Sequence, residues 1–324
     1  MIEDVSGLQE YLEPIHKEDV YRILDRHDQC MGDITLFWDG QLDFTDCCKY
    51  VIMGVPEDKG VIEMGGPKGT YEGPHAFRKE FYSKCNYFKK QPGLLADIGN
   101  IRIDLDADVT STHNKTAEVV SFLVSKDIYP IVIGGGSDTT YGAVKGLQSS
   151  GLYQKIGIVS FDAHLDLHDV PGRFFAGSTM KKILTDFPDF TSTRNLMYLG
   201  VRKETISPHT AEFVKENNIT VFYKDTIGEL KKDLLFALNT ASNSTDGILI
   251  SFDMDSCDAG MMPGTSFPMP GGFKPDEVIE IAKSLSKYKM SLYLDVVELN
   301  PRLDTNNITS VMAALLVFHF LEKK

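Results

Sequence analysis

Two stretches decide the fold of this chain: Ser160-Phe161-Asp162-Ala163-His164-Leu165-Asp166 and Ser251-Phe252-Asp253-Met254-Asp255. Each follows an apolar run rich in β-branched residues, Ile156-Gly157-Ile158-Val159 in the first case and Ile248-Leu249-Ile250 in the second. Such a run reads as a buried parallel strand, and each acidic stretch as the carboxyl end of that strand. If extended geometry persists, strand alternation turns Asp162, His164 and Asp166 to one side, and Asp253 and Asp255 likewise. Carboxylates and an imidazole converging at two strand ends repel one another unless a cation lies between them. Hard oxygen donors with imidazole suit a divalent first-row ion such as manganese. One Asp-x-Asp alone is usually a solvated strand end or a helix cap, and one Asp-x-His-x-Asp an ordinary loop. Two such stretches with the same Ser-Phe-Asp lead point instead to a metal site, mono- or binuclear.

Outward from these stretches, strands and helices alternate. Tyr50 to Met53, Leu94 to Ile103, Tyr129 to Ile133, Asn195 to Gly200, Thr220 to Tyr223 and Ser291 to Val297 read as further strands. Helices are expected at His75 to Ser83, Asn114 to Ser125, Thr139 to Gln148, near Met180, and at Ala211 to Glu216, Glu229 to Leu238, Pro275 to Tyr288 and Ile308 to Glu322. This alternation predicts an α/β fold: a single-domain three-layer αβα sandwich around a mostly parallel sheet. Residues 1–45 are polar and helical in character, with Lys17 to Arg26 amphipathic. They read as an N-terminal helical extension to a domain spanning 46–324.

The 324 residues fit one large α/β domain, and a hydrophobic content of 42% fills its core. A formal net charge of −13 disfavours nucleic acid or an anionic membrane as partner. Apolar runs such as Met312 to Phe318 are too short to span a bilayer, and the Met-Ile-Glu-Asp start lacks the parts of a signal peptide. A cytoplasmic location is expected. The five cysteines are odd in number and include no Cys-x-x-Cys, so neither a disulfide framework nor a zinc knuckle is suggested.

The ordered motifs resemble the arginase or ureohydrolase superfamily from about residue 50 to 301. Gly65-Gly66 to Gly73-Pro74-His75-Ala76-Phe77-Arg78 is similar to its early loop and Gly-Pro-x-x-x-Arg helix start. Gly134-Gly135-Gly136-Ser137-Asp138 stands where the family has Gly-Gly-x-His. The two acidic stretches match its Asp-Ala-His-x-Asp and Ser-Phe-Asp-x-Asp. Gly264-Thr265 to Gly271-Gly272 matches its Gly-Thr…Gly-Gly loop, and Asp295-Val296-Val297-Glu298-Leu299-Asn300-Pro301 its Asp-x-x-Glu-x-Asn-Pro. Gly134 to Gly136 and Gly177-Ser178-Thr179-Met180 resemble the formimidoylglutamase branch most, although Ile62, Glu63, Met64 and Pro67 depart from its early loop. Ala176 replaces the histidine that arginases carry, which argues against arginine as substrate.

The resemblance implies one or two Mn2+ ions. Asp162 and Asp253 would bridge them, His164 and Asp255 complete an inner site, and Asp166 serve an outer site. That outer site lacks the family's histidine because Ser137 stands in its place. In that reading a hydroxide held by two divalent ions would attack an amidine or guanidine carbon. The implied catalytic residues are Asp166, which orients the hydroxide and carries its proton, and Glu298, which pairs with the cationic nitrogens. His168, Arg173 and Arg202 are further candidates for holding the substrate, the two arginines through a glutamate-like tail. The expected reaction is hydrolysis of formimidoylglutamate to glutamate and formamide. Two alternatives stand beside it: an agmatinase or guanidino-acid hydrolase, and a catalytically silent homologue that binds a ligand or regulates. The resemblance also implies a homotrimer or homohexamer.

Overall fold

A computed structural model describes residues 2–21, 28–169 and 172–324. Among the described residues, ten strands form one sheet: β1 (Leu12–Glu13), β2 (Leu36–Phe37), β3 (Tyr50–Gly54), β4 (Leu95–Ile101), β5 (Tyr129–Ile133), β6 (Ile156–Phe161), β7 (Leu196–Val201), β8 (Thr220–Tyr223), β9 (Gly247–Asp253) and β10 (Ser291–Val297). Their order is β1-β4-β3-β5-β10-β9-β6-β7-β8, with β2 also on β4. Of the pairings between these strands, the β1–β4 pairing alone is antiparallel.

Period-two alternation along the strands builds the three layers. Val159, Phe161, Ile248, Ile250, Leu294 and Val296 face one way, onto the helices Gly73–Tyr82, Leu230–Ala241, Pro275–Leu285 and Ile308–Phe320. Ile156, Ile158, Leu249 and Tyr293 face the other way, onto Val109–Ser125, Thr139–Ser149, Thr179–Asp186 and Pro208–Glu216. Both faces of the central strands are therefore covered, which is why these strands read as continuous apolar runs rather than alternating ones.

Three expectations are corrected. Among the described residues, the first 45 are not purely a helical extension, because β1 and β2 share the outer edge of β4, Leu12 opposite Ile101 and Leu36 opposite Ala96. Leu8, Leu12, Trp38 and Phe44, spread thinly among polar residues, are almost wholly buried there and drive the docking. Of the expected Lys17–Arg26 helix, Lys17–Val20 is helical, and the part beyond Tyr21 lies outside the described residues. The helix expected from Asn114 starts at Val109, because the Asp108 carboxylate accepts the Thr110 amide at 3.0 Å and caps it. A short helix, Lys59–Glu63, also forms within the early glycine-rich loop.

The helix Gly73–Tyr82 is fixed by a buried clamp. Arg78 donates through Nε and Nη2 to the two oxygens of Asp97 at 2.7 and 3.0 Å, and through Nη1 to Asn100 at 2.6 Å, while Tyr82 donates to Asp97 as well. A buried guanidinium is tolerated only with this degree of pairing. The clamp sets the start of the helix, Gly73 and Pro74, against Leu299 and Gly134 at the carboxyl ends of β10 and β5.

Candidate metal centre

The sheet order places β5, β10, β9 and β6 side by side. The segments leaving their carboxyl ends therefore meet: Gly134 to Ser137, Glu298, Asp253 to Asp255, and Asp162 to Asp166. Register sets the level. Phe161 pairs with Phe252 and Val297 with Asp253, so Asp162 and Asp253 stand abreast on neighbouring strands, about 4.8 Å apart in backbone terms. This is the cleft position at which open α/β sheets bind ligands.

The side chains do not reach the site by simple alternation. β6 ends at Phe161, and Asp166 has a φ of +50°. After β9 the chain turns through a 3-10 segment, Met254–Ser256, where the Asp253 carboxylate accepts the Asp255 amide at 2.8 Å. On the other stretch the Asp162 carboxylate accepts the His164 amide at 2.6 Å. In each, the first aspartate folds the backbone so that the second ligand type turns back toward it.

Asp162, His164 and Asp255 each offer a ligand atom, and these atoms lie within 4.8 Å of one another. His164 Nδ1 is 3.1 Å from Asp255 and 3.5 Å from Asp162. Asp166 and Asp253 are outside this tightest group, but both are buried and both are felt electrostatically by Asp162 or Asp255. Among the described residues, Asp166 Oδ2 and Glu298 Oε2 are buried without a hydrogen-bond partner.

Burial first, then neighbouring carboxylates, push the Asp166 and Asp253 carboxyls well above the ordinary range. Burial likewise pushes Asp162 up to about 7, partly opposed by His164. For His164, burial opposes the charged form, but Asp255 and Asp162 overcome it and push the imidazole up to about 12. Without an ion, the cluster thus holds protons where a cation would otherwise sit. The buried hard-oxygen set, the single imidazole and the orphaned acceptors together fit a divalent metal.

Glu298 has a φ of +59°, a conformation L-residues adopt at a cost and one found preferentially at functional sites. Its Oε1 accepts the Ser137 amide at 2.9 Å. Burial pushes it up to about 8; Ser266 and the Ser137 amide oppose this, while Asp255 and Asp138 add to it. Ser137 is buried beside Asp166, and its hydroxyl donates to the Ala176 carbonyl at 3.0 Å.

The remaining candidates divide. Arg202 is tied to the Asp162–Asp166 stretch by its backbone, its amide donating to the Ala163 carbonyl at 2.9 Å, while its guanidinium lies against Gly271 with Nη1 buried and without a partner among the described residues. Arg173 is engaged elsewhere, donating to the Glu63 carboxylate at 2.7 Å and to its carbonyl at 2.8 Å. With His168, Tyr141, Phe174 and Lys181 it lines a cavity of about 500 Å³ whose walls include none of Asp162, Asp166, Asp253 and Asp255.

Two features were not anticipated. Ser266, in the Gly264 to Gly272 loop, faces Glu298; a serine in a glycine-rich loop carries no distinguishing signal. Asp138 does not turn toward the cluster, because its Oδ2 bonds His113 Nε2 at 2.8 Å. A histidine on the buried stripe of Val109–Ser125 was the available sign of that pairing.

A family model described as "Arginase family" matches residues 48–322. The formimidoylglutamase of Bacillus subtilis (strain 168) is 28% identical over 309 residues, covering 92% of this chain and 93% of the relative. The crystal structure of formimidoylglutamase from Bacillus subtilis subsp. subtilis str. 168 superposes with a TM-score of 0.83 at 25% identity, covering 94% of each chain. Formiminoglutamase of Trypanosoma cruzi, described with Mn2+, shares the fold at a TM-score of 0.81 and 22% identity, over 91% of this chain and 98% of that one. No helix among the described residues is long and apolar enough to cross a membrane.

Proposed function

The chain belongs to the arginase family, and from that premise we propose that it is a metal-dependent hydrolase of a linear amidine, converting formimidoylglutamate to glutamate and formamide. The observation that carries this reading is the convergence of Asp162, His164 and Asp255, with the free acceptors of Asp166 and Glu298 beside them. The similarity to formimidoylglutamases over nine-tenths of the chain supports the substrate.

Asp162, His164, Asp166, Asp253 and Asp255 would hold one or two divalent ions, manganese being suited to this donor set. Such an ion, when bound, brings the pKa of water toward neutrality and so supplies a nucleophile. The chain's own residues do the rest. Glu298 is held by the Ser137 amide on Oε1 and presents Oε2 to the N–H fork of the substrate's amidinium. That cation draws the Glu298 carboxyl down from its raised value and orients the amidine carbon over the cluster. Asp166 receives the proton lost on attack at Oδ2, its unpartnered oxygen. The proton then passes to the nitrogen that leaves as the glutamate amine. One C–O bond forms and the C–N bond to glutamate breaks. We assign a carboxylate of the glutamate tail to Arg202, whose guanidinium lies against Gly271 in the Gly264 to Gly272 loop. Arg173, paired with Glu63, does not join it.

Ser137 favours a second reading, a silent ligand-binding homologue, because a neutral serine hydroxyl is a poorer ligand than imidazole for the outer ion. Glutamate and formamide production by manganese-loaded protein decides between them, with agmatine, guanidinobutyrate and arginine in parallel. Turnover of formimidoylglutamate alone supports the proposal. Turnover of agmatine or guanidinobutyrate instead would reassign the substrate, and saturable binding of one compound with turnover of none would establish the silent reading.

A further inference from the structure

Cys30 and Cys85 lie opposite one another in an isolated antiparallel β-bridge. The flanking hydrogen bonds run from the Met31 amide to the Lys84 carbonyl and from the Asn86 amide to the Gln29 carbonyl, both at 2.8 Å. That pattern makes the cysteines a non-hydrogen-bonded pair, whose Cα atoms stand about 4.5 Å apart with side chains on the same face. A disulfide needs a Cα separation of roughly 4.4–6.8 Å and Cβ atoms about 3.5–4.5 Å apart, so the backbone already satisfies the first condition and nearly the second. Cys85 is exposed and Cys30 is 1% exposed. The Cys85 sulfur is thus open to a reagent, while the Cys30 sulfur lies beside Tyr21 and the Asp33 amide and reaches Cys85 by turning about its Cα–Cβ bond.

We propose that Cys30 and Cys85 form a reversible disulfide that staples the N-terminal segment to the end of the helix Gly73–Tyr82. The oxidant is a small-molecule disulfide such as oxidised glutathione. Its S–S bond is attacked by the Cys85 thiolate, giving a mixed disulfide and one glutathione thiol. The Cys30 thiolate then attacks the Cys85 sulfur, releasing the second glutathione. Two electrons and two protons pass from the protein's thiols to the two glutathiones. Excess reduced glutathione reverses both exchanges.

The staple is remote from the metal centre. Gly73 abuts Leu299 and Gly134 at the strands' carboxyl ends, and Cys85 lies beyond the other end of that ten-residue helix, about 15 Å away along its axis. Oxidation therefore acts on stability and not on turnover.

The test treats the full protein with oxidised glutathione, then counts alkylatable thiols and maps peptides. Expected are a fall from five free thiols to three, a peptide linking Cys30 to Cys85, and reversal by reduced glutathione. Closing this loop should raise Tm by about 5 °C, with kcat/KM unchanged. Cys47 and Cys48, with sulfurs 3.6 Å apart, are the competing pair, so Cys47→Ser protein is run alongside and should respond like wild type. Cys30→Ser and Cys85→Ser should each abolish the Tm shift. A persistent glutathione adduct on Cys85 with Cys30 still free, or a linkage only between Cys47 and Cys48, would overturn the proposal.

Discussion

Replacing Glu298 by glutamine isolates the substrate-facing half of the site. The side chain is 1% exposed, and its φ of +59° is unaffected by an isosteric change. The introduced amide retains an oxygen to accept the Ser137 amide, as Glu298 Oε1 does at 2.9 Å, so the loop after β10 keeps its anchor. What changes is the free Oε2, which becomes an NH2 group pointing its own hydrogens at a cationic amidine. A hydrogen bond between charged partners contributes about 1.5–3 kcal/mol, so the loss of kcat/KM should be roughly 10- to 150-fold. The assay is initial-rate glutamate release over a range of formimidoylglutamate concentrations, with manganese content measured on the same samples. Manganese content should hold at the wild-type level, because Glu298 is assigned to the substrate cation and the glutamine keeps the anchor to the Ser137 amide. Wild-type kcat/KM in the variant, or activity lost only in step with lost metal, would refute the assignment of Glu298 to the substrate.

Asp253→Asn should remove both metal and activity, since it takes a charge from the centre of the carboxylate group; metal analysis and glutamate release check this together. Ser137→His restores an imidazole beside Asp166 and should raise manganese content and turnover, and an unchanged stoichiometry would show that Ser137 does not limit the site. Metal-free protein should lose stability as pH rises from about 4 to 8. The folded Asp162 carboxyl, pushed up to about 7, keeps its proton where the unfolded one, at 3.8, has lost it, so stability declines across that interval. His164, raised to about 12, acts in the same direction above its unfolded value of 6.5. Thermal scans with chelator should therefore show a lower Tm at the alkaline end, recovered by added Mn2+.

The parallel sheet was legible because its strands are covered on both faces and so appear as unbroken apolar runs, as in Ile156 to Phe161 and Ile248 to Phe252. The edge was not. β1 and β2 are two residues each, and their pairing with β4 depends on Leu12 and Trp38 finding a surface that local sequence does not reveal. The identity of the clustered residues was visible in the two acidic stretches, but the way they cluster was not. Extended alternation fails after Phe161, and Asp162 and Asp253 instead turn their own backbones by accepting amides two residues on. Long-range partners were equally out of reach: Arg173 with Glu63, Asp138 with His113, and the Ser137 amide with Glu298 join residues brought together only by the fold.

Titrating Mn2+ into metal-free protein near neutral pH, with bound metal and released protons counted together, tests the central claim most directly. His164 holds a proton between Asp162 and Asp255, and Asp162, Asp166 and Asp253 are all raised, so an ion taking that position must expel protons. Saturable binding with at least one proton released per ion is expected, and glutamate release from formimidoylglutamate should rise in proportion to occupancy. Absence of saturable binding, or binding that releases no proton and leaves the protein inactive, would contradict the assignment of these residues to a catalytic metal centre.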